Sequence, residues 1–379
     1  MLFLQKVVAI AAVLALAASA ADAKPANRAR ALPQKSAAAI IQPTPRPDID
    51  RDWTPDIRAA HAMLAPLSPG YASIKQYRWY LAVKCGNAPT KAVKMGLDGS
   101  NADGYIITKN IDNGINTRFT VKKPAGCVVL AQKRVIRTPS GLTEAVYTAY
   151  APELDTPVML AHGRKYLESL TAHAYEELES REIWSGAYVA HEDGEKSFPA
   201  KTVAEAIPRD VALGLQITEH IDPARVKFVG LRQCIHEVLV TFAANREYAY
   251  DYAVSSVGAR GISQFMERSY DMIRSRYPGA GLNPDFVNGM DDHRNATIAS
   301  VLHFDLELTE LSDKFLHFFA IDKNGPNLGT FLAAGYNWNA KKVAKVYAKT
   351  GRLSKGLPKE TRSYVTIALQ VFKYVSVQT

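Results

Sequence analysis

Leu231, Ile235, Leu239 and Phe242 recur at three- and four-residue steps and mark one buried face of an amphipathic helix. Asp222-Pro223 ahead of them supplies an N-cap and a first-turn proline, so the spacing predicts a helix from Pro223 onward. At 3.6 residues per turn the same face returns near Arg246 and Glu247, which places Glu247 at the helix end, facing inward at the rim. Further helices are predicted over Asn295–Leu311, Thr330–Ala334, Ala340–Ala348 and Thr361–Val375. The preceding part of the chain reads differently. Tyr105–Ile107, Thr117–Lys122 and Cys127–Ile136 are β-branched or alternating and predict strands, while Pro157–Glu182 and Thr202–His220 predict helices. A domain boundary is therefore expected near Ile221. Residues 51–220 form a mixed α/β domain of unknown role, and residues 221–379 a mainly helical one, an α+β chain overall.

The first residues change the compartment. A short basic end, Met1 to Lys6, precedes an apolar run, Val7 to Ala18, too short to span a bilayer. Ala18-Ser19-Ala20 and Ala21-Asp22-Ala23 are both acceptable cleavage sites, so residues 1–23 predict a signal peptide and an exported, periplasmic protein. No cysteine stands at the cleavage point. Residues 24–50 hold Pro25, Pro33, Pro43, Pro45 and Pro47 among basic residues and predict an extended linker. In an exported chain Cys85 and Cys127 could pair, although sequence alone does not join them. Cys234 lies in an apolar helical pattern and reads as a small buried hydrophobe.

Composition narrows the partners. The 379 residues are 47% hydrophobic and 22% charged, with net charge +9. That surplus favours anionic partners. The basic residues are dispersed and interleave with no aromatic recognition motif, which sets nucleic acid aside. No CxxC or Cys/His spacing suggests a metal site, and no Gly-x-Ser-x-Gly suggests a serine hydrolase. Asp98 to Gly104 has the wrong spacing for a calcium loop and predicts a turn. Lys341, Lys342, Lys345 and Lys349 fall on one side of their helix and predict a solvated face.

Chemistry concentrates after Glu247. A carboxyl at the rim of an apolar helix is partly desolvated, which suits a general acid. Ala253-Val-Ser-Ser-Val-Gly-Ala-Arg-Gly-Ile-Ser-Gln-Phe-Met266 follows it. Gly258 and Gly261 allow a tight turn, and the Gln264 amide can both donate to and accept from sugar hydroxyls. This stretch resembles the pattern A-V-S-x-x-G-A-x-G-L-M-Q-x-M of the lysozyme-like lytic transglycosylases, relatives of goose-type lysozyme. Asp291 to Asn295 resembles the segment carrying that family's N-I-x-A-G. Leu332 to Asn337 resembles L-A-A-Y-N, and Leu357 to Val365 resembles L-P-x-E-T-x-x-Y-V. The resemblance covers roughly residues 225–375.

The resemblance implies a lysozyme-like C-terminal domain and a peptidoglycan-cleaving activity. Glu247 would be the single acid/base. Gly261, Ser263, Gln264 and Asn337 would line the glycan cleft, and Tyr336 and Tyr364 would pack near or bond the glutamate. It implies no metal or organic cofactor. Glycan strands of the wall would be the partner, with other envelope proteins reached through residues 51–220. Departures stand beside it. Tyr248 follows Glu247 where the family usually has serine. The loop to the Gly-Ala pair is one residue short, and an ungapped alignment would put Arg246 in the catalytic place. Trp338 and Asn339 replace the end of Y-N-x-G, leaving Trp338 as a sugar-stacking or a core side chain. Glu267 replaces proline, either as a solvated first-turn acid or as a second carboxylate. A hydrolase using water and a non-catalytic wall-binding protein are the alternatives.

Overall fold

Aromatic and β-branched runs between residues 77 and 147 build a four-stranded antiparallel sheet. Strands β1 (Tyr77–Cys85), β2 (Lys91–Met95), β5 (Cys127–Thr138) and β6 (Gly141–Tyr147) lie in the order β2-β1-β5-β6. β3 (Ile106–Ile111) and β4 (Arg118–Lys123) form a separate antiparallel pair. The computed structural model describes residues 50–67, 77–95, 104–111, 117–138, 141–186, 189–190, 196–197, 202–251, 253–255, 257–309 and 328–376. The signal peptide expected over 1–23 lies outside the described residues, as do nearly all of the linker expected over 24–50 and most of the turn before Gly104.

Both faces of the central strands are covered. Trp79, Leu81 and Val83 meet Ile107, Phe119 and Val121 of the β3–β4 pair on one face. Trp79 and Phe119 pack edge-on at 5.1 Å. On the other face, Tyr80, Val128 and Leu130 pack on Ile57, Ala60 and Leu64 of helix α1 (Thr54–Leu64). Cys85 and Cys127 face each other across β1 and β5 and are joined by a disulfide.

The helical layer begins earlier than the sequence pattern predicts. Thr156 caps α2 (Pro157–Ser180) by accepting from the Met159 amide, and Thr202 and Glu205 form a reciprocal capping box on α3 (Val203–Ala206). Pro208 separates α3 from α4 (Arg209–Thr218), so the single helix expected over Thr202–His220 is two. Leu167, Leu178, Val203, Val211 and Leu215 share one core with Leu239, Phe242, Ile298, Leu332 and Phe372. The boundary expected near Ile221 therefore falls inside this core, and the helical layer starts at Pro157. Close crossings fix it. A Cβ on Gly163 of α2 would sit 1.9 Å from the Leu239 carbonyl oxygen, and one on Gly214 of α4 would sit 2.3 Å from the Phe372 ring.

The helix expected from Pro223 through Glu247 is also broken. Gly230, at φ 81°, divides α5 (Pro223–Val229) from α6 (Leu231–Asn245). α6 is buried nearly all round because it serves two cores, Val240, Ala243 and Ala244 facing the sheet and Ile235, Leu239 and Phe242 the helices. Asn245 locks its end to the sheet, accepting from the Thr148 amide at 2.7 Å and donating to the Thr148 carbonyl at 2.9 Å. Among the described residues the remaining helices are α7 (Glu267–Arg276), α8 (Phe286–Asp291), α9 (His293–Thr309), α10 (Leu328–Asn337), α11 (Ala340–Thr350) and α12 (Lys359–Ser376). On α11, Val343 and Tyr347 are buried while Lys341, Lys342, Lys345 and Lys349 are exposed, as the pattern predicts. Among the described residues no helix is long and apolar enough to cross a membrane.

Candidate functional site

The apolar run of α4 is buried from Val211 to Thr218 and ends on Glu219, whose amide closes the last turn on the Leu215 carbonyl. Three residues later Asp222 caps α5. The chain therefore turns sharply and leaves Glu219 half-buried at the surface of the helical core. Tyr364, on α12, donates its hydroxyl to Glu219 Oε1 at 2.5 Å. Burial first, and then the Glu219 charge, raise the Tyr364 pKa well above the ordinary phenol value. Tyr364 thus stays a neutral phenol whose one proton points at the carboxylate.

The next residue holds the other side. His220 stacks on Tyr250 with ring centroids 3.5 Å apart, and its Nε2 donates to the Ile262 carbonyl at 3.0 Å. Burial pushes the His220 pKa down to about 3, so the ring is neutral. Two consecutive side chains consequently tie the end of α4 to α12 and to the glycine-rich loop. Tyr336 of α10 reaches the same loop, donating to the Ser263 carbonyl at 2.5 Å. Burial, then Glu219 and Glu307, raise its pKa well above the ordinary value. Glu307, buried on α9, presses on the turn before it. A Cβ on Gly335 would lie 2.6 Å from Glu307 Oε2. The His303 ring stands 5.2 Å from Tyr336 and its Nε2 3.6 Å from Glu307 Oε1.

Glu247 stands elsewhere. Arg246 adopts φ 51° and ends α6, and Glu247 is exposed in a single 3-10 turn, Arg246–Tyr248. Its charge is felt at Tyr166 of α2, beside the Arg246 guanidinium. The inward-facing rim position expected for Glu247 is therefore corrected, because the helix periodicity that put it there stops at Asn245. The tyrosine expected to bond Glu247 bonds Glu219.

The loop residues are drawn inward. Gly261, at φ 71°, brings its backbone against Met290, and a Cβ there would lie 2.4 Å from the Met290 carbonyl oxygen. The resemblance would have Gly261 line the glycan cleft, and its close backbone approach is to protein instead. Ser263 is fully buried and accepts from Ser300 Oγ at 2.7 Å, so it contributes its carbonyl, not its hydroxyl, to the Tyr336 contact. Gln264 is half-buried, its amide nitrogen donating to Gly261 at 2.8 Å and Ala253 at 3.3 Å. Asn337 is half-buried at the end of α10. Trp338 packs on the helical core with Lys342 Nζ 5.5 Å from its ring centroid. Glu267 is the exposed first residue of α7, the first-turn position. Asn295 is a buried tether, donating to Tyr270 and the Gly289 carbonyl and accepting from the Asn283 amide. Glu237, the acid within α6, is buried between Arg225, at 2.6 and 2.5 Å, and Arg118 of β4, at 2.7 Å. Burial opposes its ionisation, but the bonds to Arg225 and Arg118 outweigh it and hold the carboxyl below its ordinary value.

The structure therefore brings Tyr336, Ser263 and Tyr364 together and adds Glu219, His220 and Glu307, which the sequence reading passes over. One signal was available for Glu219. It is an acid that closes an apolar helix directly before a helix restart at Asp222-Pro223. No protein-family profile, curated protein or solved structure matches the chain.

Proposed function

We propose that this chain cleaves peptidoglycan as a lytic transglycosylase, with Glu219 in place of Glu247 as the single acid/base. The supporting observation is the Tyr364 hydroxyl on Glu219 Oε1 at 2.5 Å. It joins the tyrosine of the L-P-x-E-T-x-x-Y-V resemblance to a carboxylate at the end of a buried helix. The helical layer from Pro157 to Ser376 is then the lysozyme-like catalytic unit, and the sheet is an accessory layer. Export fits this reading, since the wall lies outside the cytoplasm and the Cys85–Cys127 disulfide suits an oxidising compartment.

In the proposed reaction the carboxylic acid of Glu219 gives its proton to the oxygen of the β-1,4 bond after N-acetylmuramic acid. That bond breaks, with the electron pair leaving on the N-acetylglucosamine oxygen and an oxocarbenium-like centre at C1. The Glu219 carboxylate then takes the proton of the muramic C6 hydroxyl, whose oxygen attacks C1 and closes a 1,6-anhydro ring. Tyr364 orients the carboxylate through both steps. Purified sacculi incubated with the protein should release muropeptides with anhydro ends, read by mass spectrometry, and the Glu219→Gln variant should release none. Equal release by that variant would overturn the assignment.

Glu307 favours a second reading. A second buried carboxylate beside Tyr336 could serve a two-carboxylate hydrolysis, with water as acceptor. Reducing ends in the same digest, lost in Glu307→Gln, would select it.

A further inference from the structure

Away from Glu219, a cavity of about 590 Å³ opens between the edge strand β2 and the β3–β4 pair. Its walls include Val93, Tyr105 and Pro124, with Lys91 and Lys123 on either side. Val93 is buried and Tyr105 half-buried against the core under Trp79, and they give the cavity an apolar patch. Both lysines are exposed. Three other cations of this layer are paired, Lys84 with Asp56 at 3.2 Å, Lys133 with Glu144 at 2.6 Å and Arg118 with Glu237 at 2.7 Å. Among the described residues Lys91 and Lys123 have no carboxylate within ion-pair reach. The three strands around the cavity, Lys-Ala-Val-Lys-Met, Ile-Ile-Thr-Lys-Asn-Ile and Arg-Phe-Thr-Val-Lys-Lys, contain no acid. Lys94, Lys109 and Lys122 extend the same sign of charge over the surface beside it.

An apolar patch between two ammonium groups that no described carboxylate neutralises suits a ligand with carboxylates on a small apolar body. The volume lies within the range of small-ligand sites, roughly 300–1,000 Å³, and accommodates a few residues of extended peptide. We infer that this cavity binds a short acidic peptide, the chemistry carried by the stem peptides of the wall polymer. The inference rests on the proposed function for its choice of ligand. It gives the sheet layer a role, which is to hold the polymer by its peptides while the helical layer works on its glycan.

The test measures binding, so that it stands apart from cleavage. A fluorescent alanyl-γ-glutamyl peptide is titrated by anisotropy against the parent protein and the Lys91→Glu/Lys123→Glu variant. At about 50 mM salt the variant should bind about tenfold more weakly, and the gap should close near 0.5 M, where the screening length falls to roughly 4 Å. Lys91→Gln/Lys123→Gln should fall between the two, which separates charge from damage to the fold. In a second arm, Glu219→Gln protein should sediment with intact sacculi but far less with sacculi stripped of peptides by an amidase, and the lysine variant should lose that difference. Equal peptide binding by parent and variant overturns the site, as does failure of the parent to bind the peptide. Loss of peptide binding in the variant, together with undiminished cleavage by Glu219→Gln, upholds the site and overturns the proposed function instead.

Discussion

Two apolar helices of this chain lead toward a glutamate, and they end in different surroundings. α4 closes on Glu219 inside the converging walls of α10, α12 and the glycine-rich loop. α6 closes at Asn245, and Glu247 follows in an exposed turn. Both fit the rule that a carboxylate at the end of a buried helix is a candidate acid. What separates them is where the rest of the chain comes back. Tyr364 returns to Glu219 across 145 residues, whereas the side chains α6 does gather serve Glu237, held by two arginines. A phenol can orient a carboxylate without fixing its charge. A pair of guanidinium groups keeps it ionised and structural.

The broadest test sets the two glutamates side by side. Glu219→Gln is expected to lower sacculus clearing by about 10²–10⁴-fold, the usual worth of a positioned acid/base, and Glu247→Gln to leave it within about twofold. The reverse outcome would invert the comparison. Next comes stability. Glu237→Ala strands Arg118 and Arg225 at the joint between sheet and helices, so urea denaturation should show a loss of about 3 kcal/mol. A loss below about 1 kcal/mol would remove the structural role given to Glu237. Tyr364→Phe removes one hydrogen bond to a charged group and should cut clearing by about ten- to a hundredfold while the melting temperature barely moves. Gly261→Ala puts a Cβ at φ 71° against the Met290 carbonyl, and it should cost about 1–2 kcal/mol, measured by thermal unfolding.

The smallest effect is a pH dependence. The folded Glu237 carboxyl titrates below its ordinary value of 4.5. Its ion pairs therefore contribute full stability above pH 4.5, and that contribution is lost as pH falls through the folded value. Acid denaturation followed by circular dichroism should be shallower below pH 4.5 in Glu237→Gln than in the parent. Parallel curves would show that the pairs add nothing.

Legibility in the sequence tracked how each element is buried. β5 shows plainly because part of its run alternates. β1 escapes because Trp79, Leu81 and Val83 face one core while Tyr80 and Ala82 face another, leaving no polar face to mark the period. The break at Gly230 is invisible to periodicity, since Val226 before it and Leu231 after it both pack on the helical core. The family-like motifs lead to Tyr336 and Tyr364 directly, but not to Glu219, which Tyr364 bonds. A boundary drawn at Ile221 assigns Glu219 to the wrong side, and only packing of α4 on α12 shows that the two belong together. Ser263 and Gln264 illustrate the remaining limit. Their residue types suggest sugar contacts, yet backbone and neighbouring hydroxyl groups claim them first.

The disulfide between Cys85 and Cys127 has a consequence for how this protein can change. It clasps two residues that face each other at matching positions of β1 and β5, so the 42-position span it closes hangs from the sheet as a buckled loop. That span carries β2, β3, β4 and the lysine-flanked cavity, while Arg118 is its ion pair to the helices. Such an insert behaves as a cassette. Its exposed positions can be rewritten while β2 keeps its pairing with β1, the β3–β4 pair its apolar face on Trp79, Leu81 and Val83, and Arg118 its ion pair to Glu237.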